Sequence, residues 1–172
     1  MKLRARELKT AGALALAVCL CGGCPAKLDS QGVSKLDTSA VFLDLEGNKV
    51  SLSEFSAGAP MLVTFFASWC YVCATEVPEI NRIYSEYEDE GLAVFGVNVG
   101  DSKGALDKFL DKYGADYPIL HDPDGSTAHK IAKLYGLPLN ILADANGNVI
   151  YYDPATPPDV VIQNMLKNHY KR

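Results

Sequence analysis

Apolar positions first gain a regular pattern at Val41-Phe42-Leu43, break at Glu46-Gly47-Asn48-Lys49, and resume at Val50 and Leu52. Two short runs around a polar turn predict a β-hairpin. The next run, Met61-Leu62-Val63-Thr64-Phe65-Phe66, is continuous and rich in strand formers. It predicts a central strand buried on both faces. After Cys70 the spacing turns helical, with Val77, Ile80, Tyr84 and Tyr87 on one face and Gly91 closing the segment. A second buried strand is expected from Leu92 to Val99. A helix from Lys103 to Tyr113 follows, its apolar side made of Leu106, Phe109 and Leu110. A short strand over Tyr117 to Leu120 precedes a helix that Asp124-Gly125-Ser126 opens and Gly136 ends, with Ala128, Ile131, Ala132 and Tyr135 facing inward. Leu139 to Leu142 and Val149 to Tyr152 flank Asn146-Gly147, a hairpin signature. A final helix runs from about Pro158 to His169 on Val161, Ile162, Met165 and Leu166. Strands alternating with helices and ending in an antiparallel hairpin predict an α/β fold, a three-layer sandwich with a mixed central sheet.

Ahead of this domain the pattern differs. Lys2, Arg4, Arg6 and Lys9 form a basic start, an apolar run spans Ala11 to Leu20, and small Gly22 and Gly23 follow. This is the layout of a secretory signal peptide over residues 1–23, since the run is too short to span a bilayer. The stretch Leu20-Cys21-Gly22-Gly23-Cys24 resembles a bacterial lipoprotein signal, which implies lipidation of Cys24; the alternatives are a plain cleaved leader or an uncleaved anchor. Residues 24–35 are polar and read as a tether, leaving 36–172 as the folded domain.

The chain has 172 residues and a formal net charge of −5, which becomes more negative once the basic leader is removed. No basic stripe runs through the body, which excludes nucleic acid as the expected partner. The acidic cluster Glu86, Glu88, Asp89 and Glu90 reads as a solvated helix end.

Chemistry concentrates at Cys70-Tyr71-Val72-Cys73. A pair of cysteines at this spacing fits a zinc half-site, a haem attachment, a structural disulfide or a redox dithiol. Zinc would need two more ligands, and the body offers only the isolated His121, His129 and His169. Haem attachment would need histidine after the second cysteine, where Ala74 stands. A peroxiredoxin-type peroxidase would need Thr or Ser three residues before its reactive cysteine, and Ala67 precedes Cys70 at that distance. The pair follows a buried strand and opens an amphipathic helix, where free N–H groups and the helix dipole favour a thiolate. This favours a redox dithiol in which Cys70, at the exposed end, attacks and Cys73, one turn inside, resolves. A purely structural disulfide is the remaining alternative.

Phe65-Phe66-Ala67-Ser68-Trp69-Cys70-Tyr71-Val72-Cys73-Ala74-Thr75-Glu76-Val77-Pro78 and Gly136-Leu137-Pro138-Leu139-Asn140-Ile141-Leu142 resemble the thioredoxin superfamily, and within it the TlpA/ResA-like thiol–disulfide oxidoreductases of the bacterial envelope. The resemblance covers the chain from about Leu36 onward. It implies a thioredoxin-like fold, a cis Pro138 facing the dithiol, Leu137 and Pro138 receiving an extended substrate, and Trp69 covering the motif. It also implies that Glu76 serves proton traffic at the buried thiol. Without it, Pro138 reads equally as a trans loop proline, Trp69 as core, and Glu76 as a solvent-facing carboxylate. Val72 stands where the family often has proline, Thr64 where thioredoxins carry an acid or amide, and the segment before Pro138 is short. The expected partners are protein thiols and disulfides, a membrane electron donor of the DsbD/CcdA type, and the membrane through a lipid anchor. The chain is expected to be a monomer facing the periplasm, with no cofactor and no metal, and the resemblance points to cytochrome c maturation. A thioredoxin-fold copper carrier using His121 or His129 as third ligand, or a non-catalytic binding lipoprotein, is the alternative.

Overall fold

The computed structural model describes residues 32–171. The expected signal peptide, Cys24 and most of the expected tether lie outside the described residues. Strands β1 (Val41–Leu43) and β2 (Lys49–Ser51) form the hairpin, followed by the short helix α1 (Leu52–Phe55). Then come β3 (Met61–Phe66), α2 (Tyr71–Tyr87), β4 (Ala93–Val99), α3 (Lys103–Tyr113) and β5 (Ile119–Asp122). Helix α4 (Ser126–Ala132), strands β6 (Leu139–Ala143) and β7 (Val149–Asp153), and α5 (Asp159–Tyr170) complete the chain.

One seven-stranded sheet runs in the order β2-β1-β5-β4-β3-β6-β7. Strands β3, β4 and β5 are parallel, while β6 pairs antiparallel to β3 and β1 antiparallel to β5. All six residues of β3 are buried, as its unbroken apolar run requires of a strand covered on both faces. Its side chains alternate: Leu62 and Phe66 join a cluster with α2, α3 and α5, while Met61, Val63 and Phe65 pack on the side of α1 and α4. This is the mixed three-layer α/β/α sandwich of the thioredoxin-like fold. Ser34 and Lys35, at the end of the expected tether, are bonded to the start of β7, where Val149 N–H donates to the Ser34 carbonyl and Lys35 bridges Asn148.

Several elements differ from expectation. Leu52 opens α1 rather than extending a strand, because Ser51 accepts from the Glu54 N–H while the Glu54 carboxylate accepts from the Ser51 N–H. β5 lies two residues later than expected, which buries His121 and Asp122. Helix α4 ends at Ala132, with Lys133 in a left-handed conformation, so Tyr135 is outside the helix and 87% exposed instead of facing inward. Within α2 the apolar face is completed by buried Ile83, while Tyr84 is half-buried and bonded to Glu88.

Candidate active site

The turn from β3 into α2 delivers the cysteines. Cys70 N–H donates to the Ala67 carbonyl at 3.0 Å, and Cys70 is the N-cap of α2. Its Sγ accepts from the Cys73 N–H at 3.1 Å, the place a serine or aspartate oxygen takes in an ordinary cap. The two cysteines are joined as a disulfide with Cα atoms 5.3 Å apart. The expected contrast in exposure is nearly absent: Cys70 and Cys73 are 5% and 4% exposed, in one buried cluster with Phe66 and Val77. The difference between them is electrostatic. Cys70 Sγ sits on the Cys73 N–H at the positive end of a 17-residue helix.

Glu76 lies one turn beyond Cys73 and is half-buried. Asn140 Nδ2 donates to its Oε2 at 3.3 Å and also to the Pro154 carbonyl at 2.9 Å. Burial pushes the Glu76 carboxyl above its ordinary range, and the Asn140 hydrogen bond partly opposes this. Tyr117 is near enough to feel the carboxylate: its phenol is pushed up first by burial and then by the charge of Glu76. Thr64 stands between Asn140 and Gly96 in register, so no carboxylate underlies the helix at that position.

The Leu137–Pro138 bond is cis and Pro138 is buried. Two grooves meet there. One, of about 340 Å³, is lined by Trp69, Val99, His129, Leu134, Tyr135 and Leu137 among others. The other, of about 180 Å³, runs along Tyr135, Leu137, Pro138, Leu139, Tyr152 and Pro154. Trp69 is 72% exposed, a wall of the first groove rather than part of the core, and the neighbouring Tyr71 and Val72 are exposed too. The structure thus gathers Cys70 and Cys73 at the head of α2, with Glu76 a turn along it, and sets Trp69, Leu137 and Pro138 around the first groove and its neighbour. Two further residues bond to the site without a local signal in the sequence. Asn140 was visible only as a polar residue inside an apolar strand, and Asp101 reaches the motif from a loop 33 positions away.

Among the described residues no group of three His, Cys, Asp or Glu side chains is placed to hold a metal ion. His121 bonds the Asp101 carbonyl and His129 lines the first groove. No described helix is long and apolar enough to cross a membrane.

The sequence profile of the AhpC/TSA family matches residues 34–152. The thiol–disulfide oxidoreductase ResA of Bacillus cereus is 30% identical over 128 residues, which are 73% of this chain and 71% of that protein. ResA of Geobacillus thermodenitrificans is 33% identical over 112 residues, 63% of this chain and 62% of that protein. A Chlorobium tepidum structure assigned as the thiol:disulfide interchange protein DsbE superposes with a TM-score of 0.66 at 26% identity, covering 80% of this chain and 98% of its own. With the fold, the Cys70–Cys73 disulfide and these relatives in agreement, the chain belongs to the AhpC/TSA family, among its thioredoxin-fold thiol–disulfide oxidoreductases of the ResA type.

Proposed function

We propose that this chain is a protein disulfide reductase of the cell envelope in which Cys70 attacks and Cys73 resolves. The observation that carries this reading is the N-cap position of Cys70, with its sulfur on a helix N-terminal N–H and bonded to Cys73. The Cys70 thiolate attacks one sulfur of a substrate disulfide, forming a mixed disulfide and releasing the other sulfur as a thiolate. Cys73, deprotonated, then attacks Cys70 Sγ and releases the second substrate thiolate. Two electrons pass to the substrate, whose two thiolates take up protons, and the Cys70–Cys73 disulfide remains. Glu76, half-buried one turn beyond Cys73 and with its carboxyl held above its ordinary range by burial, is suited to accept the Cys73 proton. Leu137 and Pro138 offer backbone for an extended substrate strand, and Trp69 packs on its side chains.

In this reading Cys24 carries a lipid that tethers the monomer to the membrane. A donor of the DsbD/CcdA type returns it to the dithiol, and apocytochrome c thiols are among its substrates. The support is the leader-like start of the chain and the ResA likeness. The test is trapping: Cys73→Ser expressed in cells should accumulate mixed disulfides through Cys70 with envelope proteins, and lipid labelling should be lost in Cys24→Ala. No mixed disulfide with Cys73→Ser would refute the exchange mechanism.

A further inference from the structure

Asp101, in the loop between β4 and α3, is 7% exposed. Its Oδ2 accepts from the Ser68 N–H at 2.6 Å and from Asn98 Nδ2 at 2.8 Å, and its Oδ1 from the Ser68 hydroxyl at 2.9 Å. Both oxygens only accept, which is the pattern of a charged carboxylate. Every partner is neutral, and among the described residues no cation pairs with it. Three donors are enough to keep such a group buried, yet they leave its charge uncompensated.

The held residue, Ser68, lies in the turn whose Ala67 carbonyl receives the Cys70 N–H. We propose that Asp101 is a positioning residue that sets the electron-donating bias of the dithiol: it pins the turn that delivers Cys70 and fixes a negative charge on Ser68, two residues before it. The inference rests on the reading of Cys70 as the attacking thiol. The helix N-terminus favours a Cys70 thiolate; a nearby buried negative charge opposes it. The disulfide carries no charge and is indifferent to Asp101. Opposing the thiolate therefore weakens the reduced form relative to the oxidised one, the reverse of the arrangement that makes a strong oxidant. The other ionisable groups on neighbouring elements include Cys73 and Glu76 on α2, Lys103 on α3, which is exposed and paired with Asp107, His121 and Asp122 on β5, and Asp124 and His129 beside the groove under Trp69. His121 reaches the Asp101 backbone carbonyl and not its carboxylate.

The experiment uses the reduced protein, with iodoacetamide labelling of each cysteine followed by mass against pH, together with equilibration against glutathione. Asp101→Asn and Asp101→Ser both remove the charge while keeping an acceptor for Ser68, so the test does not hang on one variant folding. Both should move the Cys70 labelling midpoint down by roughly half to one pH unit, about three- to tenfold faster labelling below it. The glutathione equilibrium should move toward the dithiol by a similar factor. Asp101→Glu should restore the wild-type midpoint, and Ser68→Ala, which keeps the charge, should stay close to it. An unchanged midpoint in both neutral variants, with Cys70 still the faster cysteine, overturns the role of Asp101 alone. So does Ser68→Ala matching the neutral variants. Faster labelling of Cys73 in the wild type overturns the assignment of Cys70, and this inference with it.

Discussion

Asn140 on β6 donates to Glu76 on α2 across 3.3 Å, linking the strand that follows cis Pro138 to the helix that begins at the dithiol. The second Asn140 N–H is taken by the Pro154 carbonyl, and the Asn140 Oδ1 is buried with no partner. A buried amide oxygen left unpaired is costly, by about 1–3 kcal/mol. The arrangement makes sense if the donor side is what the site uses.

Replacing Asn140 with Leu removes that donor and makes the surroundings of Glu76 less polar, and both changes favour the neutral carboxyl. The Glu76 carboxyl carbon, followed by NMR, should titrate at higher pH than in the wild type. An unchanged titration would mean that the contact is too weak to matter.

Because burial raises the folded-state Glu76 carboxyl, the folded protein binds this proton more tightly than the unfolded chain does. The contribution to stability is therefore full below the ordinary carboxyl range and is lost as pH rises through the raised folded-state value. Glu76→Gln, which can still accept from Asn140, should be more stable than the wild type at neutral pH by less than about 1 kcal/mol, given the solvent that still reaches the group. At acid pH below both titrations the two should coincide. Urea unfolding at the two pH values checks this, and a wild type more stable than the variant at neutral pH would contradict it.

The same substitution separates the two chemical steps. Mixed-disulfide formation by Cys70 should keep its rate in Glu76→Gln, while release through Cys73 should slow by about a hundredfold if the carboxylate takes its proton. Quenched-flow with acid trapping resolves the steps. Equal slowing of both would remove Glu76 from the resolving step.

Gly96 leaves room beneath α2 that no other residue would. A Cβ there would lie 2.9 Å from Ile119 Cδ1, 3.0 Å from Phe66 Cε1 and 3.1 Å from Tyr117 Cε2. Two of these atoms belong to rings in the cluster that holds the cysteines. Gly96→Ala should cost about 1–3 kcal/mol in denaturant unfolding through overpacking. No loss would show that the rings can move aside.

Local signals in the chain carried most of the fold. The β3 run, the helical spacing of Val77 and Ile80, and Asn146-Gly147, with Gly147 at φ +80°, each encode their element within a few residues. Cys70 and Cys73 were legible for the same reason, since the strand before them and the helix after them are both local patterns. Ser51-Leu52-Ser53-Glu54 carries a capping-box pattern that overrides the strand reading of Leu52. Tyr135 faces outward because α4 stops three residues before it, a stop set by Lys133 that apolar spacing does not report. Asp101 and Asn140 were not legible because their partners, Ser68 and Glu76, lie 33 and 64 positions away and meet only once β3 pairs with β4 and α2 packs on the sheet. The equal burial of the two cysteines likewise depends on packing from α2 and Phe66 together.

The division of labour between the two thiols is tested most directly by mixing reduced Cys73→Ser and Cys70→Ser separately with a peptide disulfide and mapping the adducts by mass. Cys73→Ser should form a long-lived mixed disulfide at Cys70 at the rate of the wild-type first step, and Cys70→Ser should form an adduct at least about tenfold more slowly. Comparable adduct formation at Cys73 would contradict the assignment of Cys70 as the attacking thiol.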